Sequence, residues 1–159
     1  MTLDTTQTAP ARAAATAGTG PVLRVEDLIV TYYTDLGRAR ALDKVSFTLE
    51  AGQKMGMVGE SGSGKSTLAL AMMRMIKPPG RIEGGSVIVG GTDLQSLDNE
   101  GMRKARLSKI AYIPQGAMNS LNPVMRIGAQ MADAIQSHVK GEAKSSIEDR
   151  IAKALRSVD

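Results

Sequence analysis

One short run of residues carries the groups needed to bind the phosphates of a nucleotide. Residues 59–67 read GESGSGKST and match the pattern GxxxxGK followed by Ser or Thr. Glycines let the backbone curl so that successive N–H groups point inward, and a helix that starts there turns its N-terminus toward the same anion. The run therefore predicts a phosphate-binding loop.

Each side chain of this loop has an expected partner. Lys65 is the candidate catalytic cation, expected to reach the β and γ phosphates. Ser66 is expected to place its hydroxyl on Mg²⁺, and Thr67 to contact the α phosphate. An incidental lysine in a flexible Gly/Ser loop is the alternative, but an accidental match has a probability on the order of 10⁻² from composition. The other nucleotide-binding candidates are Gly59, Ser61, Gly62, Ser63 and Gly64.

A strand before the loop and a helix after it must position these groups. Residues 54–58, KMGMV, are mostly apolar and predict a short buried strand. Residues 66–77 are rich in Leu, Ala and Met, which favour a helix. The following Pro78-Pro79-Gly80 is expected to end that helix.

The remaining strands are predicted on both sides of the loop. Alternation of apolar and polar residues predicts strands over 22–33 and 41–50, joined by a turn at 34–38. Glycine pairs bound a third strand over 84–91. A short apolar run predicts a further strand at 110–113.

Polar and periodic segments predict three more helices. Asp98 is expected to cap a polar helix that runs to about residue 108. A second helix is predicted over 124–139, and the lone His138 is expected on its surface. Ser145 and Glu148 have the spacing of a capping box that starts a last helix. An apolar stripe at helical spacing on that helix comprises Ile147, Ile151, Leu155 and Val158.

Composition narrows the classes of function. A chain of 159 residues with 42% hydrophobic content allows one ordinary domain. The absence of cysteine excludes disulfides, thiol catalysis and cysteine-ligated metals within this chain. The net charge of +4 is dispersed and few aromatics are available for base stacking, so nucleic-acid binding is not expected. The longest apolar run, 68–73, is too short to enter a membrane directly.

The order of these parts resembles the nucleotide-binding subunit of an ATP-binding cassette (ABC) transporter. Residues 112–130, YIPQGAMNSLNPVMRIGAQ, further resemble the ATPases of oligopeptide, dipeptide and nickel importers. The resemblance covers Val22 to Asp159 and implies an α/β fold: a P-loop NTPase core of ABC ATPase type, with an N-terminal antiparallel β part. The Ala/Thr/Gly-rich composition of residues 1–20 predicts a disordered tail. The resemblance implies the first part of the core over 21–116 and the start of a helical subdomain over 117–159.

The resemblance also implies roles for residues outside the loop. Tyr32 lies where the family has an aromatic residue that stacks on adenine, with Tyr33 as the alternative. Without the family, a tyrosine that simply packs at a strand end explains Tyr32 as well. Gln115 matches the family glutamine that contacts Mg²⁺ or the attacking water, so it is the second catalytic and metal candidate. Gly116 departs from the acidic residue that often follows this glutamine.

The function implied is that of the ATP-binding, energy-coupling subunit of a peptide-type importer, which binds Mg-ATP. Such a subunit is expected to pair with a second ABC ATPase subunit, as a homodimer or a heterodimer. It is also expected to dock on integral membrane permease subunits, and so to be cytoplasmic and peripheral on the inner face of the membrane.

Three family elements do not occur in the 159 residues: an LSGGQ-type signature, a strand ending in Asp-Glu, and a later switch histidine. We therefore expect the chain to be the N-terminal portion of a longer ATPase and an incomplete domain that does not hydrolyse ATP by itself. Two alternatives stay open. One is a non-transport ABC ATPase, in phosphonate degradation, DNA repair or at the ribosome. The other is a non-hydrolysing nucleotide-binding fragment.

Overall fold

A four-stranded antiparallel sheet forms the N-terminal part of the chain. β1 (Leu23–Thr34) and β2 (Gly37–Leu49) form a long hairpin. β3 (Gly80–Val89) pairs with the other side of β1, and β4 (Thr92–Asp93) adds a short edge, which gives the order β2-β1-β3-β4. The predicted antiparallel part is thus confirmed, with β1 at its centre.

The structure, a computed structural model, describes residues 20–116, 121–139 and 141–158. Apart from Gly20, the predicted tail over 1–20 lies outside these residues. Ser120, which belongs to the run 112–130 that resembles the importer ATPases, also lies outside them. The chain divides into two units, residues 1–112 and 113–159.

Two helices belong to the first unit and two to the second. α1 (Lys65–Met72) follows the glycine-rich loop, and α2 (Asn99–Ala105) follows the sheet. α3 (Ile127–Gln136) and α4 (Lys144–Arg156) make up most of the second unit. None of the helices in the described ranges is long and apolar enough to cross a membrane.

The core of the first unit lies between the sheet and the helices α1 and α2. Alternation along β1 sends one set of its side chains to this side, as expected for a strand with one buried face. The buried members of the core are Val25, Leu28, Val30, Leu42, Leu68, Ala71, Val87, Leu94, Met102 and Ala105.

The predicted strand at 54–58 is wrong. These residues have no ladder partner in the part of the chain that the structure describes, and Val58 is 93% exposed. Only Met57 packs against the core. An apolar run can show that a segment suits a strand, but a strand also needs a neighbour to accept its hydrogen bonds.

The predicted strand at 110–113 is wrong for the same reason. Its one ladder contact is an isolated bridge between Arg106 and Ile110, and Ile113 is 84% exposed. The short apolar run therefore ends the first unit as irregular backbone.

The first two helices are shorter than their sequence patterns predict. α1 ends at Met72 because Arg74 adopts a left-handed conformation with φ 49°. The Arg106 side chain then donates from Nε and Nη2 to the Met73 carbonyl at 3.2 and 3.0 Å, which satisfies a group at the helix end. The predicted Asp98 cap of α2 is confirmed, since its Oδ1 accepts the Gly101 N–H at 2.7 Å.

The helices of the second unit differ more from prediction. α3 begins at Ile127 and not at 124, because a turn occupies the preceding residues, and His138 lies just beyond its end. The predicted capping box is wrong: α4 has Ala143 at its N-cap, so Ser145 lies inside the first turn. The apolar stripe is only partly covered, with Ile147 2% exposed and Val158 84% exposed.

Glu142 supplies the polar contacts at the start of α4 that Ser145 was expected to supply. The Ser146 hydroxyl donates to its Oε1 and Arg150 to its Oε2, both at 2.6 Å. The Ser146 bond, assisted by Arg150, lowers the pKa of Glu142 against the opposing effect of burial. A carboxylate at a helix N-terminus is favoured by the unpaired N–H groups there.

Two adjacent glycines in β3 allow a matched test of the sheet. Gly85 has φ +94°, and an added Cβ would lie 2.5 Å from the Cα of Leu28 and 2.6 Å from the carbonyl oxygen of Asp27. Asp27 itself has a positive φ of 45°, at an irregularity in the pairing of β1. At Gly84 an added Cβ would meet nothing within 4 Å.

We predict that Gly85→Ala lowers the free energy of unfolding by at least about 2 kcal/mol, because backbone strain adds to a clash with backbone atoms. Gly84→Ala should change it by less than about 0.5 kcal/mol. Urea denaturation followed by circular dichroism measures both. Equal effects of the two substitutions would contradict the close approach of Gly85 to the backbone of β1.

Candidate nucleotide-binding site

The predicted phosphate-binding loop curls between Gly59 and the start of α1. Gly62 and Gly64 adopt positive φ angles of 82° and 92°, which side chains other than glycine resist. The Ser63 N–H donates to the Glu60 carbonyl at 3.2 Å, and Gly64 is the N-cap of α1. The residues that the sequence predicts to surround phosphate are therefore brought together at a helix N-terminus.

The loop is packed directly against the hairpin. A Cβ at Gly64 would lie 2.8 Å from the carbonyl oxygen of Ala41 in β2, and 3.2 Å from the Leu42 side chain. Leu42 is buried in the core. Gly64 thus needs to be glycine both for its conformation and for this close approach.

The side chain of Lys65 folds back over the loop. Its Nζ donates to the carbonyl oxygens of Gly59 and Glu60 at 2.7 and 2.6 Å, and to the Ser63 hydroxyl at 3.1 Å. An ammonium group has three donors, and here all three have oxygen partners. Phosphate oxygens suit the same donors, so the residues present fit a phosphate group.

The hydroxyl residues of the loop lie around the start of α1. Ser61 is exposed beside the glycine turn, and Ser66 is exposed in the first turn of α1. Thr67 is half-buried in the same turn. An exposed hydroxyl next to the lysine suits a Mg²⁺ ion that keeps several of its ligands from water and phosphate.

The hairpin connects Tyr32 to the loop. Tyr32 is opposite Ala39 in β2, and Ala39 precedes by two residues the Ala41 carbonyl that approaches Gly64. Tyr32 therefore lies on the strand that pairs with the one against which the loop packs.

The ring of Tyr32 is half-buried and packs beside Gly80 in β3, where a Cβ would lie 2.7 Å from its Cε1. It contacts the edge of the hydrophobic core as well. Strand-end packing, the alternative explanation from sequence, is therefore part of what Tyr32 does, and part of its surface stays open.

Tyr33 is engaged with other protein side chains. Its hydroxyl donates to Oε1 of Glu83, and the guanidinium groups of Arg38 and Arg81 each lie 5.4 Å from its ring centroid. Successive residues of a strand point to opposite faces. The contacts of Tyr33 therefore leave Tyr32 as the better candidate for a base-stacking residue.

Sequence reasoning missed the polar network around Glu83. The Thr31 hydroxyl donates to Oε2 of Glu83 at 2.6 Å, which adds to the Tyr33 bond. These two bonds, with the charges of Arg40 and Arg38, lower the pKa of Glu83 against the opposing effect of burial. The Glu83 bond in turn raises the pKa of Tyr33. Thr31 and Tyr33 are two residues apart, so the sequence places them on the same face of β1. That they share Glu83 as a partner depends on the register between β1 and β3, which the sequence does not reveal.

Gln115, the second catalytic candidate, lies in the second unit and is exposed. The following Gly116 has φ 71°. This left-handed conformation is one that glycine adopts readily and other residues resist.

Comparison with known proteins now identifies the family. A sequence profile described as ABC transporter matches residues 42–159. The chain belongs to this family. It is 41% identical over 138 residues to the oligopeptide transport ATP-binding protein OppD of Haemophilus influenzae, and 36% identical over 137 residues to the dipeptide transport ATP-binding protein DppD of Caldanaerobacter subterraneus.

These matches cover 87% and 86% of the present chain but 42% of each relative, so this ABC family chain spans about two fifths of their length. The fold is also similar to the dimeric structure of MJ0796, described as a bacterial ABC transporter cassette. That match has a TM-score of 0.70 at 21% identity and covers 84% of this chain and 56% of the other. The expected fold is thereby confirmed.

The network around Glu83 gives a pH-dependent prediction. Because folding lowers the pKa of Glu83, its carboxylate stabilises the fold fully above about pH 4.5, its usual pKa, and this contribution is lost as the pH falls through the lower folded value. Glu83→Gln should therefore lower the melting temperature at neutral pH, and the difference from wild type should shrink as the pH falls below about 4. Thermal unfolding measures this, with the exposed Glu50→Gln as control. A difference that grows with acid would contradict the assignment.

Proposed function

We propose that this ABC family chain forms the nucleotide-binding part of the energy-coupling subunit of a peptide-type importer. The observation that carries the proposal is the Lys65 ammonium, held by three loop oxygens at the N-terminus of α1. Relatives at about 40% identity over most of this chain are oligopeptide and dipeptide transport ATP-binding proteins, which supports the choice of substrate class.

In the proposed complex the loop surrounds the phosphates of Mg-ATP. Lys65 leaves the loop oxygens and donates to the β and γ phosphates, while the backbone N–H groups of 61–64 point at the same oxygens. Ser66 contributes its hydroxyl to Mg²⁺, and Thr67 contacts the α phosphate. Bound Mg²⁺ offsets the negative charge of the phosphates.

The remaining proposed contacts lie outside the loop. Tyr32 stacks on adenine, which is supported by its half-buried ring and by its pairing with β2, the strand against which the loop packs. Gln115 contacts Mg²⁺ or the attacking water, as its match to the family glutamine suggests.

Transport requires partners that this chain does not supply. We propose that it works with a second ABC ATPase subunit and with integral membrane permease subunits, on the cytoplasmic face of the membrane. The solved relative is described as dimeric, which supports the first partner. Residues 1–159 alone are proposed to bind ATP without turning it over, because they contain no signature and no Asp-Glu pair to orient water.

The Lys65 contacts predict a loss of affinity on truncation. Lys65→Ala should weaken Mg-ATP binding by about 10- to 100-fold, since hydrogen bonds to charged groups contribute about 1.5–3 kcal/mol. Isothermal titration calorimetry measures the dissociation constant. Lys54→Ala, which removes an equal charge from an exposed position just before the loop, should bind as wild type does. Equal affinities of all three proteins would refute the proposal.

Tyr32 can be tested separately from the phosphate loop. Tyr32→Ala should weaken ATP binding by about 5- to 100-fold, because stacking on a base contributes about 1–3 kcal/mol, whereas Tyr32→Phe should bind nearly as tightly as wild type. Inorganic triphosphate has no base, so its affinity should be the same for all of these proteins. If Tyr32→Ala weakened triphosphate binding equally, the ring would serve only the packing of the sheet.

A further inference from the structure

Gly80 lies directly opposite Tyr32 in the sheet, as the first residue of β3. A Cβ at Gly80 would lie 2.7 Å from Cε1 of Tyr32 and 2.8 Å from Cγ2 of Ile76. Both distances are shorter than the separation of about 3.5–4.0 Å at which carbon atoms pack best. The absence of a side chain at residue 80 therefore makes room for the Tyr32 ring.

Space, and not backbone conformation, is the reason for glycine at residue 80. The φ angle of Gly80 lies outside the left-handed region, whereas Gly85 in the same strand has φ +94°. The space above Gly80 is bordered by the Tyr32 ring, by the half-buried Ile76 and by the carbonyl oxygen of Lys77, which a Cβ would approach to 3.1 Å. A methyl group added at residue 80 would thus act first on its neighbours.

Contacts before and after Tyr32 hold β1 against β3. The Tyr33 N–H donates to the Pro79 carbonyl at 3.1 Å. On the opposite face of the sheet, the hydroxyls of Thr31 and Tyr33 both donate to the carboxylate of Glu83. Because the strands are joined on both sides of Tyr32, an added methyl group displaces the ring more readily than it separates the strands.

We propose that Gly80 is a positioning residue for the Tyr32 ring, and that it thereby sets the affinity of the site for the base of the nucleotide. The inference rests on the proposed function, in which Tyr32 stacks on adenine. Stacking requires the two flat faces to meet in an offset arrangement, so a displaced ring loses the contact. Phosphate binding depends on residues 59–67 instead, so it should not respond to the position of the ring.

Calorimetric titration of the complete ATPase with Mg-ATP and with inorganic triphosphate tests this role. Gly80→Ala should weaken ATP binding about 5-fold or more, and no more than Tyr32→Ala does, while triphosphate affinity stays within about twofold of wild type. In a protein that already carries Tyr32→Ala, the substitution of Gly80 should have no further effect on ATP affinity, because no ring is left to displace.

Two other glycines of β3 supply matched controls. Gly84→Ala adds the same methyl group where nothing lies within 4 Å, so it should bind ATP as wild type does. Gly85→Ala strains the same strand at a different place, so it should lower stability without changing the ratio of the ATP and triphosphate affinities. Circular dichroism establishes that each variant is folded at the temperature of the titration.

Ile76→Ala carries the same test if Gly80→Ala does not fold. Ile76 is half-buried and borders the same space as the ring. Its truncation should let the ring move, and so weaken ATP binding about 3-fold or more with triphosphate affinity within about twofold of wild type. Equal loss of both affinities would overturn the positioning role.

The outcomes separate the two proposals. Unchanged ATP affinity in Gly80→Ala, equal weakening of ATP and triphosphate, or independent effects of the two substitutions in the double variant each overturn the positioning role. The proposed function stands in all three cases if Tyr32→Ala weakens ATP binding alone. If Tyr32→Ala binds ATP as wild type does, or wild type binds no ATP, the proposed function fails in that part and the positioning role fails with it.

Discussion

The close approach of Gly64 to the carbonyl oxygen of Ala41 is the constraint on which the nucleotide-binding site depends. It leaves no room for a Cβ, and it joins the loop to the strand β2. β2 pairs with β1, so the position of the loop also sets its distance from Tyr32. A backbone contact in a packed interior deforms little. The loop and Tyr32 are thus connected through the same hairpin.

Tyr32 and Tyr33 are successive residues of β1, so their side chains lie on opposite faces of the sheet and make different contacts. On its face of the strand, Tyr33 contacts Glu83 and Arg81 of β3 and Arg38 of β2. Tyr32 projects to the other face, where its ring lies against Gly80. The contacts of Tyr33 on one face of β1 therefore stabilise the strand that carries the Tyr32 ring on the other face.

The sequence was informative where a local pattern determines the structure. The phosphate loop, the first hairpin and the Asp98 cap each depend on residues close together in the chain, and all three were predictable. The third strand was predicted over 84–91 but spans Gly80–Val89, because its pairing with the distant β1 extends it toward its N-terminus. The strands predicted at 54–58 and 110–113 were wrong, because a strand depends on a partner that an apolar run does not reveal. The cap at Ser145 failed since Glu142, three residues earlier, takes the polar contacts at that helix end.

The candidate site likewise contains residues that a local sequence pattern predicts and residues that it does not. Lys65 and the loop glycines could be named from their spacing, whereas the Glu83 network requires the register between β1 and β3. The packing of the Tyr32 ring on Gly80 requires the same register. The roles of Tyr32 and Gln115 came from family resemblance, and the test of Tyr32 lies in nucleotide binding.

The hydrogen bonds of Lys65 have one more consequence. The carbonyls of Gly59 and Glu60 and the Ser63 hydroxyl accept from all three donors of its ammonium. Gly59 and Glu60 lie at the start of the loop and Lys65 is the first residue of α1, so this side chain joins the two ends of the loop. Lys65 thus closes the loop as well as placing a positive charge beside it.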